Sequence, residues 1–382
     1  MMRRPVDSPP YLVAGVTGRA LAASAWRGGH RVIVLDYFAD RDCARWAVAC
    51  HAVAPPDALR FDRQLLLSLA ERLAPPDRSA GLVYGSGFEG RTGLLRRLAA
   101  GRRLCGNRPE VVRAIKDPAR FFPLLDRLGI PHPETRLAPP ETLTGWLAKQ
   151  AGGAGGTHVR PAAAARRRAG TYYQRFEHGQ TLSVLFLANG ERGRVLGFNR
   201  QWTTPARPDL PYLFGGAVGG IILPRRQVAE LSASLDRLIA ATGLVGLNGL
   251  DFLLHDRGWT VLELNPRPTA TLELYDHDYA RGLFDWHLRA CGGELPARIP
   301  APRASRALAV VQAEGPWHSS EHFRFPAWCR DLPRIGLRFS PGDPVCTVHA
   351  RAADPRQAVL LLRRRRARLA RMFSEAASLV GR

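Results

Sequence analysis

Two apolar runs, Gly249 to Leu254 and Trp259 to Leu264, flank the turn residues Asp256-Arg257-Gly258. Two strand-like runs around such a turn predict a β-hairpin. Each run carries an acid, Asp251 in the first and Glu263 in the second, and Asn265 follows. Side chains alternate along a strand, so Glu263 and Asn265 share a face. A register symmetric about Asp256-Arg257 brings Asp251 close to them. The surrounding Val261, Leu262 and Leu264 are apolar, which argues against a merely solvated edge. On this register two carboxylates and an amide are expected to converge on one half-buried sheet face.

The rest of the chain is built from short elements. Tyr11 to Val16 reads as a strand, the stretch to Trp26 as a helix stopped by Gly28-Gly29, and Arg31 to Asp36 as a second strand. This is a βαβ unit. Its turn is Gly15-Val16-Thr17-Gly18, which lacks GxGxxG, so dinucleotide binding is weakly supported. Gln64 to Leu73 and Arg91 to Ala100 read as helices around a strand at Gly81 to Tyr84. Residues 1–110 form an open α/β domain on this reading. Glu141 to Leu147 is expected as a loop and short helix. Tyr172 to Phe176 and Thr181 to Leu187 are expected strands, and Asn189-Gly190 a hairpin turn. Gly215, Gly216, Gly219 and Gly220 are expected to mark a loop. Val228 to Thr242 reads as an amphipathic helix, and strands near Ala307 to Gln312 and Val345 to His349 precede a C-terminal helix with a solvated face.

Composition narrows the function classes. Across 382 residues, 46% are hydrophobic and 23% charged, enough for a sizeable core. No run of about 18 apolar residues exists, so a membrane span is not expected. Met1 to Pro10 has no apolar stretch of the secretory kind. The six cysteines form no CxxC pair, which fits a reducing cytoplasm better than zinc or a disulfide framework. The net charge of +22 raises the question of nucleic acid. Against it, arginines spread along the whole chain and no aromatic-plus-basic platform appears. Two of the 55 basic residues are lysines, Lys116 and Lys149. In a chain that otherwise uses arginine, these positions suggest a need for a compact ammonium.

Lys149 stands just before the glycine-rich stretch Gly152, Gly153, Gly155 and Gly156. Flexible backbone N–H groups there can cradle phosphate oxygens beside an ammonium. The stretch is not a Walker A loop, because GxxxxGK[ST] is absent. Asp251, Glu263 and Asn265 are hard oxygen ligands of the kind Mg²⁺ takes together with nucleotide phosphates. Arg267 lies on that face or just beyond it and could hold a phosphoryl group or an oxyanion. His158, His178 and His277 lie near this set and read as polar wall residues. Asp276-His277-Asp278 reads as a helix N-cap rather than an amine contact.

In order along the chain, Lys116, Lys149 with its glycine loop, Gln174-Arg175-Phe176-Glu177, Asp251, Glu263-x-Asn265 and Arg267 resemble the ATP-grasp superfamily. The resemblance covers roughly residues 107–290. Within that superfamily, the stretches Gly85-Ser86-Gly87-Phe88-Glu89, Gly106-Asn107 and Gly342 to Val348 are similar to the predicted ATP-dependent carboligases related to biotin carboxylase, some of which occur in one-carbon metabolism. The resemblance implies an α/β (α+β) chain in three parts. These are a pre-ATP-grasp α/β domain at 1–110, a two-lobed ATP-grasp domain at 111–295 with its lid about 115–175, and a C-terminal mixed segment at 296–382.

The resemblance also implies roles. Lys116 and Lys149 would bind the α- and β-phosphates of ATP, and the loop Gly152 to Gly156 would be the mobile lid. Gln174, Arg175 and Phe176 would hold the adenine with Glu177 nearby, and Gln180 stands where a ribose-binding carboxylate is usual. Asp251, Glu263 and Asn265 would ligate Mg²⁺ or Mn²⁺. Arg267, with Lys149, would serve the chemistry by stabilising an oxyanion. Biotin carboxylases carry a glutamate four residues after that arginine, where this chain has Thr271, with Glu273 two further on.

The activity implied is an ADP-forming ligase joining a carboxylate to an amine through an acyl phosphate, in one-carbon cofactor (methanopterin- or methylofuran-type) biosynthesis. Alternatives are a carboxylase or carboxylate–thiol ligase on the same fold, and a basic nucleic-acid-binding protein with an inactive ATP-grasp fold. The partners expected are small, anionic carboxylate and amine substrates, with no membrane and no nucleic acid. Two copies pairing as a homodimer is the commonest assembly to expect.

Overall fold

The computed structural model describes residues 8–55 and 60–380, so residues 1–7 of the N-terminal stretch read above lie outside it. The first layer is a parallel sheet. It contains β1 (Tyr11–Ala14), β2 (Val32–Asp36), β3 (Ala49–Ala52), β4 (Gly81–Tyr84) and β5 (Leu104–Cys105), in the order β3-β2-β1-β4-β5. Helices α1 (Arg19–Gly28), α2 (Arg63–Leu73) and α3 (Thr92–Ala99) make the crossovers. β2 and β4 are buried at every position, as strands covered on both faces must be. Asp62 starts α2 by accepting the N–H groups of Gln64 and Leu65. The strand order reverses between β1 and β4, so the turns 15–18 and 85–89 meet at the carboxyl ends of the strands. Ligand crevices of open α/β sheets lie there.

Two helices lead into the next layer, α4 (Pro109–Lys116) and α5 (Pro118–Arg127). Asp117 separates them and caps α5 through the Ala119 N–H. A small antiparallel sheet follows, with β6 (Thr135–Arg136), β7 (Trp146–Gln150), β8 (Val159–Pro161) and β9 (Thr171–Arg175) in the order β6-β9-β7-β8. Here one expectation fails. The segment after Glu141 is not helical, because Trp146 to Gln150 forms β7 between β8 and β9. Trp146 and Ala148 alternate into a small core with Tyr173 and Ala162, and that packing overrides the helix-forming Leu147-Ala148-Lys149.

The large sheet is antiparallel. β10 (Gln180–Asn189), β11 (Gly193–Thr203), β12 (Phe214–Ile221), β13 (Val245–His255) and β14 (Gly258–Asn265) form one end of it, with α6 (Arg225–Thr242) and α7 (Gly282–Cys291) packed on it. Alternation along β10 divides the core. Leu182, Val184 and Phe186 pack with Leu231, Leu235 and Leu238 of α6, while Leu185 and Leu187 pack with Leu283 and Phe284 of α7. The four glycines from Gly215 to Gly220 were expected in a loop but form half of β12. They are there for close packing. A Cβ at Gly216 would collide with Trp202, and one at Gly219 would press on the Tyr275 hydroxyl at 3.0 Å.

The sheet continues through β15 (Ser305–Gln312), which pairs with β12, and then β19 (Pro344–Ala352) and β17 (Cys329–Arg330). The short β16 (Trp317–His318) and β18 (Arg338–Phe339) pair with each other. Helix α8 (Pro355–Val380) covers this end through Ala358, Leu362 and Leu369, leaving Arg363, Arg364, Arg368 and Arg371 exposed. One ion-pair knot ties the parts together. Arg19 of α1 donates to Glu273 at 2.5 and 2.7 Å and to Asp331 at 2.9 Å. No helix among the described residues is long and apolar enough to cross a membrane.

Candidate active site

The hairpin predicted from the sequence is β13–β14, and its register sets Asp251 directly opposite Glu263 and Gly249 opposite Asn265. Leu250 and Phe252 pack toward α6, so Asp251 between them faces the other way. Asn265 Nδ2 donates to Asp251 Oδ2 at 2.9 Å, and Gln201 Nε2 on β11 donates to Asp251 Oδ1 at 2.8 Å.

Two cations meet this face from the layer above it. Lys116, at the end of α4, forms an ion pair with Glu263 and lies 3.4 Å from Asn265 Oδ1. Lys149, on β7, donates to Gln174 Oε1 on β9 at 2.5 Å. The two lysines are 9% and 6% exposed, values rare for lysine without a function or a partner. Burial pushes the Lys149 ammonium down to about 8, against the pull of Glu263 and Asp251. Burial and the neighbouring Glu263 push Asp251 up to about 6. Burial works to raise Glu263 as well, but Lys116, His158 and Lys149 together hold it at about 2.

Arg267 lies two residues beyond Asn265. Its Nε donates to Glu89 Oε1 at 2.5 Å, and its Nη2 is 3.3 Å from Asn265 Oδ1. Sequence reasoning noted the stretch 85–89 but gave Glu89 no role. The signal was there, since a glycine-rich turn after a buried strand was carrying an acid. Gln201 was also missed, and His158, expected as a polar wall residue near this set, stands within it. His158 is buried under the glycine loop, its Nε2 is 3.8 Å from Glu263 Oε2, and its Nδ1 has no partner among the described residues. Burial drives its pKa down to about 4.

A cavity lined by Lys116, Gln150, Gly152, Gly153, His158 and Glu263 sits between the small sheet and the large one. The glycine loop forms its roof. Gly152 and Gly156 have φ of +73° and +77°, and Gly155 O accepts the Phe214 N–H at 3.0 Å. A Cβ at Gly152 would meet the backbone of Gly90, and one at Gly156 the Tyr212 carbonyl. The loop is therefore packed on two flanking segments.

The residues expected at the adenine and ribose stand apart from this cluster, except for Gln174. The N–H groups of Arg175 and Phe176 donate to Glu134 O and Gly145 O, both at 2.8 Å. Glu177 Oε2 accepts the Thr260 hydroxyl at 3.0 Å. Gln180 is exposed at the start of β10. Thr271 faces Thr269, with the two hydroxyls 2.7 Å apart, and Glu273 is held by Arg19 away from Arg267. Asp276 accepts the Leu283 N–H at 2.7 Å at the start of α7 and pairs with Arg27.

Oxygen donors alone make up the acidic set, which fits Mg²⁺ or Mn²⁺ better than a softer metal. Asp251 and Glu263 stand half-buried and directly opposite each other, so their oxygens would face one divalent ion together. As arranged, the Asn265 amide turns its oxygen toward Lys116 and Arg267 and its nitrogen toward Asp251. Turning that amide over would add its oxygen to the carboxylates.

Residues 115–271 match the family described as an ATP-grasp domain. No curated protein sequence matches the chain significantly. Solved structures do resemble it. The biotin carboxylase domain dimer of 2-oxoglutarate carboxylase from Hydrogenobacter thermophilus, with MgADP, ADP and bicarbonate, is 13% identical with a TM-score of 0.71, covering 92% of this chain and 88% of its own. N5-carboxyaminoimidazole synthase from Aspergillus clavatus, with ADP and 5-aminoimidazole ribonucleotide, is 15% identical with a TM-score of 0.68, covering 95% and 99%. The L-amino acid ligase from Bacillus licheniformis is 12% identical with a TM-score of 0.70, covering 94% and 97%. The chain has the ATP-grasp fold of biotin carboxylase along almost its whole length.

Proposed function

We propose that this protein is an ATP- and Mg²⁺-dependent ligase that joins a carboxylate to an amine and releases ADP and phosphate. One observation carries the reading. Both lysines of an arginine-rich chain are buried at the same site, within reach of the same pair of carboxylates. An arginine surface bias does not account for buried lysines. Phosphate oxygens beside a carboxylate-held metal do, because they need compact point charges that fit between them.

Each side chain has a task on this reading. Lys116 and Lys149 neutralise the α- and β-phosphates. Asp251, Glu263 and Asn265 would hold Mg²⁺, which when bound shields the phosphate charge that otherwise repels an incoming carboxylate. Arg267 stabilises the oxyanion that forms when the amine attacks the acyl carbon, with phosphate as the leaving group. The glycine loop excludes water, which would otherwise hydrolyse the acyl phosphate. Gln174, Arg175, Phe176, Glu177 and Gln180 border the adenine and ribose. Pairs such as Lys116–Glu263 and Lys149–Gln174 must loosen when nucleotide enters.

A bicarbonate-activating carboxylase is the weaker reading. Thr271 cannot act as a carboxylate base, and Glu273 is committed to Arg19. The complete set of lysine, carboxylate and arginine groups speaks against an inactive fold kept for nucleic-acid binding. The neighbours' names include a carboxylase, a synthase and an amino acid ligase, and none refers to one-carbon cofactors, so the proposal stops at the reaction class. We carry the homodimer as part of this reading, because the 2-oxoglutarate carboxylase domain is described as a dimer. The test is calorimetric titration with MgADP. Binding is expected in the unaltered protein, with a loss of at least about tenfold in Lys116→Met and in Glu263→Gln. Equal affinity in all three would remove the proposal.

A further inference from the structure

A second groove lies away from the lysine and carboxylate site and shares no lining residue with it. It opens between the turn 277–280, the outer side of α7 and the loop 298–303, and encloses about 450 Å³. That volume lies within the range of small-molecule sites. His277, Asp278, Tyr279, Trp286, Arg298 and Arg303 line it.

The charges around the groove are not balanced. Its one acid, Asp278, is already spent, since Arg306 donates to its two oxygens at 2.7 and 2.9 Å. His277 accepts from Arg27 at 2.6 Å through Nδ1, and burial and that guanidinium both lower its pKa, so it faces the groove uncharged near neutral pH. Arg289 lies over Trp286, 5.0 Å from the ring centroid. The guanidinium groups of Arg298 and Arg303 are exposed and make no hydrogen bond or ion pair among the described residues. Tyr279 is 5% exposed, and its buried hydroxyl also has no partner among them. The groove thus combines two unpaired planar cations, an aromatic wall and a neutralised acid.

We propose that this groove binds a small organic anion bearing a carboxylate or a phosphate group, held by Arg298 and Arg303. Guanidinium forks match the paired oxygens of either group, and the neutralised Asp278 removes the repulsion that a bare acid would impose. The inference does not depend on the ATP reading, because neither arginine belongs to that site. Both side chains are on the surface, so replacing them leaves the fold intact.

The experiment is calorimetric titration of the full chain at constant ionic strength with three probes: citrate, inorganic phosphate and phosphoenolpyruvate. The proposal expects saturable one-site binding of at least one probe. The Arg298→Gln/Arg303→Gln variant should weaken it by at least about tenfold, the loss expected for charged hydrogen bonds, with MgADP binding unchanged. Citrate alone would identify a carboxylate site, phosphate alone a phosphate site, and phosphoenolpyruvate alone a site for both groups together. No saturable binding of any probe up to ~10 mM, or equal binding in the double variant, would overturn it.

Discussion

Arg267 Nε donates to Glu89 Oε1 at 2.5 Å, joining the end of β14 to the turn after β4. Both side chains are nearly enclosed, and burial, which alone would raise Glu89, is outweighed by Arg267 and Lys116, which keep it ionised. The pair therefore holds the guanidinium in place at the switch point of the parallel sheet, facing the lysine and carboxylate cluster. Replacing Arg267 with Met should cut turnover by roughly 10²–10³-fold with MgADP affinity retained, as for removal of an oxyanion donor. Glu89→Gln keeps a hydrogen-bond acceptor and should lower kcat more than it changes KM. Glu89→Ala strands a buried cation and should cost about 3–5 kcal/mol in denaturant melts.

Lys149 gives opposite pH trends in two measurements. Its folded-state pKa is about 8 against 10.5 in the unfolded chain, with burial as the cause. Between those values the unfolded chain binds more protons, so stability rises with pH. Over the same range the ammonium proposed to face the phosphates is lost, so ADP affinity should fall by up to ~10-fold per pH unit. Lys149→Met should flatten both curves, as read by thermal melts and ADP titrations from pH 7 to 10.

The glycine loop is held by contacts that admit no side chain. At Gly156 a Cβ would collide with the Tyr212 carbonyl, and φ is +77°. Gly156→Ala should therefore leave the loop unseated, with kcat lowered by at least about tenfold and more ATP lost to water. Limited proteolysis should then cut within residues 151–157 even with MgADP present. Unchanged protection would mean that the loop does not close by this packing.

His287 predicts an acid limb in stability. It is 1% exposed, its Nδ1 accepts the Leu247 N–H at 2.9 Å, and its Nε2 lies 3.0 Å from Cys105 O. Burial lowers its pKa to about 4. As pH falls from 6.5 to 4 the unfolded chain takes up the proton first, so stability drops by up to about 3 kcal/mol. His287→Gln should give a shallower fall over that window in urea melts.

The hairpin was legible because period-two alternation and a turn signal act locally, but its register at the acids was not: symmetry about Asp256-Arg257 sets Asp251 opposite Leu262, and a bulge between Asp251 and Phe252 shifts the pairing to Glu263. The lysines were legible because of their rarity. The pairing of Glu89 with Arg267 was not, since 178 residues and two sheets separate them and only the tertiary fold brings them together. β7 was misread because its strand pairing depends on β8 and β9, and β12 because glycines that admit close packing look, in sequence, like glycines that permit a turn. The Arg19 knot joins positions 19, 273 and 331, and no local pattern announces it.

The central claim is acyl-phosphate chemistry at the Lys116–Glu263 site. Its most direct test is ³¹P NMR of MgATP with the protein and a small-molecule extract of its host, run beside Glu263→Gln. The account predicts ADP and inorganic phosphate, formed only with the extract and absent in the variant. AMP and pyrophosphate, or equal turnover in the variant, would contradict it.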